Sequence, residues 1–227
     1  MAATPIRRLA RAEYIQMMRT LWKQGEHVAL LGPTGSGKTT LARDLLGVRS
    51  FVCVLAIKAA DDSLDLYSRK LGYSVIQAWP PTYHQNHVVL WIKPRELGDV
   101  DVQRVAIHRA LMSIFLEGGW CVYLDDLSYM TDHLNLRRTV SAFLNQGRSS
   151  GISVVSAVQR PRRVPLEAFN QSRHIIVWRY DDKEEVGRAA EIAGYPRAEL
   201  WSIMSDLGQF DAVALTSRRA PIIVGGN

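Results

Sequence analysis

Short, mostly apolar runs recur along the chain at His27–Leu31, Phe51–Ile57, Val88–Ile92, Trp120–Leu124, Ile152–Val158 and His174–Trp178. They have the length of strands, are rich in β-branched and aromatic residues, and do not alternate with polar positions. That pattern predicts strands covered on both faces, as in a parallel sheet flanked by helices. The intervening stretches have helical spacing: Thr40–Leu46, Leu64–Leu71, Val102–Leu116 entered from Asp99 or Asp101, a helix marked by Leu136, Val140, Phe143 and Leu144, then Lys183–Ala193 and Arg197–Leu207. Gly47, Gly72, Gly118-Gly119, Gly147 and Gly194 sit where these helices should stop. Ala212–Thr216 and Pro221–Val224 read as a closing β-hairpin. At the other end, Thr4-Pro5 reads as a helix start, followed by Ile6, Ala10, Tyr14, Met17 and Leu21 at helical spacing. The expectation is an α/β fold in three layers. Its central sheet is mainly parallel with helices on both faces, preceded by a basic amphipathic helix (1–25) in the same fold and followed through 26–227 by the α/β domain.

Composition narrows this only modestly. At 227 residues, 47% of them hydrophobic, the chain is long enough to bury a substantial core as one larger domain. A net charge of +6 is compatible with a nucleic-acid partner without requiring one. Cys53 and Cys121 both fall inside apolar runs, so buried reduced thiols are expected rather than a disulfide or metal pair, in keeping with a cytoplasmic setting. No run approaches the roughly 20 apolar residues of a membrane span. His84 and His87 lie in a proline-rich loop with no matching ligand set, which favours a surface loop over a metal site.

The chemistry is concentrated first in Gly32-Pro33-Thr34-Gly35-Ser36-Gly37-Lys38-Thr39, which fits the phosphate-binding pattern G-x-x-x-x-G-K-[ST] at every position. A buried strand leads into it and a helix beginning at Thr40 leaves it. The glycines let backbone N–H groups turn inward around phosphate oxygens, and the helix N-terminus adds positive potential. Gly32–Thr40 is therefore the expected nucleotide-binding segment. Lys38 would reach the β- and γ-phosphates, and the Thr39 hydroxyl would ligate Mg²⁺.

Two further positions turn a phosphate cradle toward hydrolysis. Asp125-Asp126 closes the strand Trp120–Leu124, and Gln159 closes Ile152–Val158. Ligands of open α/β sheets bind at such C-terminal strand ends. Asp125 can hold Mg²⁺, Asp126 can orient and activate water, and Gln159 can sense the γ-phosphate or that water.

Gly32–Thr39, Asp125-Asp126 and the run Gly147-Arg148-Ser149-Ser150-Gly151-Ile152 through Val158-Gln159-Arg160-Pro161 together resemble the HerA/FtsK family of P-loop ATPases. The resemblance covers roughly residues 26 to 193, and Gly147–Pro161 is its specific part. It implies a P-loop NTPase fold, ATP with Mg²⁺ at subunit interfaces, a homo-oligomeric ring of five or six subunits, and double-stranded DNA in the central channel. The family usually has glutamate where this chain has Asp126, one methylene shorter. Arg148 follows a helix-ending glycine, so its side chain would project beyond the helix. The resemblance implies a finger acting in trans on a neighbour's nucleotide; the plainer reading is a cation at a helix C-terminus.

DNA contacts are less legible. Arg160, Arg162 and Arg163 form a basic loop beside Gln159, and Lys58, Arg69, Lys70, Lys93 and Arg95 are further candidates, each also readable as solvated charge. The basic N-terminal helix has the same two readings. A motor indifferent to sequence should contact phosphates rather than base edges. With no membrane anchor, nuclease or DNA-reading segment evident, the expectation is a viral genome-packaging ATPase in the host cytoplasm, with a portal as a further partner. A cellular or plasmid DNA translocase stands beside it. A small-molecule kinase with Arg160–Arg163 as its lid and a nucleotide-dependent switch are the readings from other classes.

Overall fold

The computed structural model describes residues 6–58, 63–81, 85–93, 96, 100–217 and 219–226. Thr4-Pro5, His84, Arg95 and Asp99, each given a role above, lie outside the described residues. In chain order the strands are β1 (Arg7–Leu9), β2 (His27–Leu31), β3 (Val52–Ala56), β4 (Ser74–Ile76), β5 (His87–Trp91), β6 (Cys121–Leu124), β7 (Ser153–Val158), β8 (Ser172–Trp178), β9 (Ala212–Thr216) and β10 (Ile222–Val224). The helices are α1 (Arg11–Leu21), α2 (Lys38–Leu46), α3 (Ser63–Asp65, continuing as a π-helical turn over Leu66–Lys70), α4 (Val100–Glu117), α5 (Arg137–Gln146), α6 (Lys183–Ala193) and α7 (Arg197–Ser205).

All ten strands join one sheet in the order β1-β10-β9-β8-β2-β7-β6-β3-β5-β4. Only β9 runs against the rest, pairing antiparallel with both β8 and β10. The central strands are buried from end to end because both faces are covered. On one face Val28, Leu30, Val155 and Ala157 meet Tyr14 and Met18 of α1 and Leu41, Ala42 and Leu45 of α2. On the other, Leu31, Leu55, Val122 and Val154 meet Ile107, Leu111 and Ile114 of α4, Val140 and Phe143 of α5, and apolar residues of α6 and α7. Cys53 and Cys121 are buried free thiols, and burial pushes the Cys121 pKa up to about 12. The sandwich is thus a P-loop NTPase fold with a parallel core and a C-terminal hairpin.

The N-terminal segment departs from its expected form. Arg7–Leu9 is a strand paired parallel to β10, and the helix begins only at Arg11, after an extended Ala10. The buried stripe is Tyr14, Met18 and Trp22 rather than the sequence set running through Ala10 and Met17. The helix reading failed because a three-residue edge strand with two exposed arginines has too few positions to display a period. β4 went unread for the same reason: it has three residues, none of them fully buried.

Buried polar groups set the ends of the sheet. The Gln103 side-chain amide on α4 donates to the carbonyls of Ile57 (2.8 Å) and Ile92 (2.7 Å), tying together the C-terminal ends of β3 and β5. At the opposite end, His27 Nε2–H donates to the Leu144 carbonyl (2.8 Å) while Nδ1 accepts from the Val154 N–H (3.2 Å). A backbone N–H can only donate, so this pairing fixes the neutral tautomer, in line with a pKa lowered mainly by burial.

Candidate nucleotide site

β2 delivers the phosphate loop to the C-terminal edge of the sheet, where the Gly32 N–H bonds the Val158 carbonyl of β7 (3.1 Å). Gly32 has no room for a side chain: a Cβ there would lie 2.8 Å from both Ser36 Oγ and Trp178 Cβ. Gly37 caps α2 in the left-handed region (φ 103°), a conformation that side chains resist. α2 therefore begins at Lys38 with its N-terminus facing the loop.

Lys38 is 8% exposed, and its ammonium donates to the Gly32 and Pro33 carbonyls, both at 2.7 Å. Burial lowers its pKa to about 8, with Asp125 and Asp126 pulling it back up and Lys58 pushing it down. The acids at the end of β6 lie within reach of the same charge. Asp125 accepts from the Tyr123 hydroxyl at Oδ1 (2.7 Å) and from the Lys58 ammonium at Oδ2 (2.9 Å). Burial, then the neighbouring Asp125, holds the Tyr123 pKa well above its ordinary value, which keeps the phenol a donor. The Thr39 side chain lies close enough to the Tyr123 hydroxyl to oppose that shift, so Thr39, Tyr123 and Asp125 are neighbours in the site.

Asp126 Oδ1 accepts from the Tyr129 N–H (3.1 Å), which fixes the carboxylate against the turn that follows. Gln159, at the tip of β7, accepts through Oε1 from the Thr34 hydroxyl (2.9 Å), and its carbonyl accepts from the Tyr180 hydroxyl (3.1 Å). Lys38, Thr39, Asp125, Asp126 and Gln159 thus share one edge of the sheet.

Arg148 is elsewhere. It lies in the 3₁₀ turn Gly147–Ser150 between α5 and β7, lining a small cleft of about 190 Å³ with Glu26, Ser172 and Arg173. That cleft is at the N-terminal ends of the strands, roughly 16 Å from the loop along the five residues of β2. Arg148 does not reach the phosphate loop of its own chain.

The basic candidates separate. Arg160, Arg162 and Arg163 are exposed on the turn after Gln159, whose Arg162 N–H bonds Glu185 (3.2 Å) and whose Pro161 and Val164 are buried. Lys58, read from sequence as a DNA-contact candidate, has its ammonium on Asp125. Arg69 pairs with Asp65 (3.5 Å) on the π-helical turn, beside Lys70, on the face of α1 and α2. Lys93 lies over the Trp91 ring.

Beyond the phosphate loop a cleft of about 460 Å³ runs past Thr40 and Leu41 to Arg11, Phe210, Val224, Gly225 and Gly226. Trp178, at the tip of β8, walls it from below; the residue is 2% exposed and its indole N–H has no partner among the described residues. A buried donor left unpaired costs about 1–3 kcal/mol. Tyr123, Lys58, Trp178 and Phe210 were not assigned to the site from sequence. The strand-tip rule that found Gln159 applies equally to Trp178, whereas Phe210 sits in a connection with no periodic signal.

The oxygen donors Thr39 and Asp125 suit Mg²⁺, and the Lys58 ammonium on Asp125 shows that this edge accepts a cation. Among the described residues no group of three or more His, Cys, Asp or Glu is arranged to hold a metal. A metal here would be shared with phosphate oxygens, as P-loop sites require.

This loop, strand order and acid placement define the P-loop NTPase fold. No protein-family model matches the chain, and no curated protein matches it. Solved structures do. The DNA-packaging ATPase B204 from Sulfolobus turreted icosahedral virus superposes with a TM-score of 0.65 at 16% identity, over 90% of this chain and 99% of that one. The genome-packaging NTPase B204 of Sulfolobus turreted icosahedral virus 2, in complex with AMPPCP, gives 0.64 at 16% identity over 90% and 99%. The pCW3 conjugation coupling protein TcpA gives 0.51 at 17% identity over 88% of this chain and 59% of that one. At such identities the likeness is one of fold.

Proposed function

We propose that this protein is an ATP-hydrolysing motor that moves double-stranded DNA through a ring of its own copies, and that it serves viral genome packaging. The observation that carries the reading is the division of the hydrolytic parts between two ends of the sheet. Lys38, Asp125, Asp126 and Gln159 stand at one end, and Arg148 stands at the other. Such a site is finished by a second subunit, and a ring supplies one to every site. The fold shared with proteins named as DNA-packaging ATPases gives the reading its biological direction.

The residues divide the work by position. Loop N–H groups and the α2 N-terminus cradle the phosphates, and Lys38 leaves the Gly32 and Pro33 carbonyls to meet the γ-phosphate charge. Thr39 and Asp125 would hold Mg²⁺, which when bound neutralises charge on the β- and γ-phosphates. Asp126 takes the proton of the attacking water, and Gln159 positions that water. Arg148 of the adjoining subunit offsets charge on the transferred phosphoryl group, so turnover depends on assembly. The exposed Arg160, Arg162 and Arg163 follow Gln159 directly, which links nucleotide state to a DNA-facing turn.

The test is ATPase activity measured with and without double-stranded DNA alongside oligomeric state. The expected result is a ring whose turnover rises with DNA of any sequence and loses that stimulation at high salt. A monomer that transfers phosphate to a small acceptor and ignores DNA would overturn the reading in favour of a kinase.

A further inference from the structure

The cleft beyond the phosphate loop contains more structure than phosphate binding requires. Its near end is the loop itself, with Gly35, Gly37, Lys38 and Thr39. Its far end is built by both terminal regions of the chain: Arg11 at the start of α1, Phe210 before β9, and Gly225-Gly226 after β10. These parts are tied to one another. Arg11 Nη1 donates to the Gly226 carbonyl (2.9 Å) and its Nε pairs with Asp44 of α2 (3.0 Å). The Gly225 N–H bonds the Leu9 carbonyl (2.8 Å), and the Gly226 N–H bonds Asp211 (3.2 Å).

Two aromatic side chains flank the cleft at Gly37. Measured from where a Cβ would stand on that glycine, the Trp178 indole nitrogen is 3.7 Å away and the Phe210 ring edge 4.0 Å. Trp178 is deeply buried and its N–H is unpartnered among the described residues, while Phe210 is 47% exposed. A donor-only group with no partner, turned to a loop that binds anions, calls for an acceptor from a ligand. The half-exposed Phe210 ring, which reaches from beside Gly226 toward Gly37, offers a face for stacking.

We infer that Trp178 and Phe210 divide the nucleotide between them: the Trp178 N–H donates to the phosphate chain, and Phe210 stacks on the base in a pocket closed by the chain's two terminal regions. This rests on the nucleotide-binding reading above and adds a rule of base selection. The Gly225 and Gly226 N–H groups and the Gly226 carbonyl are already bonded within the protein. With these groups engaged, the contact that the described far end offers a base is the face of Phe210, which does not distinguish one purine from another. The site takes purine nucleoside triphosphates as a class, ATP and GTP alike.

The experiment is displacement of a fluorescent ATP analogue from the full chain by ATP, GTP and inorganic tripolyphosphate. In the unaltered protein, ATP and GTP should displace it at concentrations within about threefold of one another. Phe210→Ala should weaken both by about tenfold and leave tripolyphosphate unchanged, and Phe210→Tyr should restore them. Trp178→Phe, which keeps a ring in the core, should weaken all three by a similar factor. A strong preference for one purine, or equal losses of nucleotide and tripolyphosphate in Phe210→Ala, would overturn the inference. Lys38→Ala distinguishes its failure from that of the site itself: if even tripolyphosphate binds as well without Lys38, the nucleotide-binding reading falls.

Discussion

Lys38 shows what burial costs one side chain of the proposed site. Burial lowers its pKa to about 8, and its ammonium rests on two loop carbonyls. Because the unfolded chain keeps that lysine protonated up to about 10.4, the folded protein binds fewer protons in the window between. Stability contributed at this position therefore rises with pH across that window, and phosphate binding, which raises the lysine pKa, must take up a proton there. Nucleotide affinity should fall as pH rises above about 8, by up to about tenfold per pH unit, with proton uptake visible by calorimetry in buffers of different ionisation enthalpy. Affinity flat from pH 8 upward, with no proton uptake, would contradict the assignment of Lys38 to the phosphates. The loop, Asp125 and Gln159 were legible because spacing and strand-tip position define them. Lys58 and Tyr123 were not: Lys58 looks like any surface cation until the end of β3 is brought beside Asp125, and Tyr123 looks like core until its hydroxyl is placed between Thr39 and Asp125.

At the scale of elements, legibility followed length and burial. The fully buried strands β2, β3, β6 and β7 could be read directly, since covering both faces leaves no polar interruption. β1 and β4 are three-residue strands held by backbone pairing, β1 to β10 at the other end of the sequence and β4 to the following strand β5, and three residues are too few for a local pattern to show. On the proposed function, the junction after α4 matters more. Gly118 ends that helix at φ +72°, and a Cβ there would lie 2.6 Å from the Ser150 carbonyl oxygen. The neighbouring Gly119 N–H bonds that same oxygen (2.9 Å), so this junction positions the 3₁₀ turn bearing Arg148. Gly118→Ala should destabilise the fold by about 1–3 kcal/mol and, by shifting that turn, lower ATP turnover several-fold while leaving nucleotide affinity nearly unchanged. Thermal unfolding, turnover and a binding titration on one preparation check this. An unchanged turnover with the expected loss of stability would separate the junction from the finger.

At the scale of the molecule, the phosphate loop and Arg148 occupy opposite ends of the same sheet, and on the proposed function a single chain would hold half of each of two sites. No helix among the described residues is long and apolar enough to cross a membrane. What sequence could not convey was this separation, because residues 38 and 148 acquire their relative positions only from strand order. The most direct test mixes two inactive variants, Lys38→Ala and Arg148→Ala, and measures ATPase activity in assemblies demonstrated to contain both. An Arg148→Ala subunit keeps an intact phosphate loop, and an adjacent Lys38→Ala subunit supplies the arginine. The account predicts that each variant alone loses most turnover, on the order of a hundredfold or more, and that mixing restores a measurable fraction. Mixed assemblies that remain as inactive as either variant alone would contradict it.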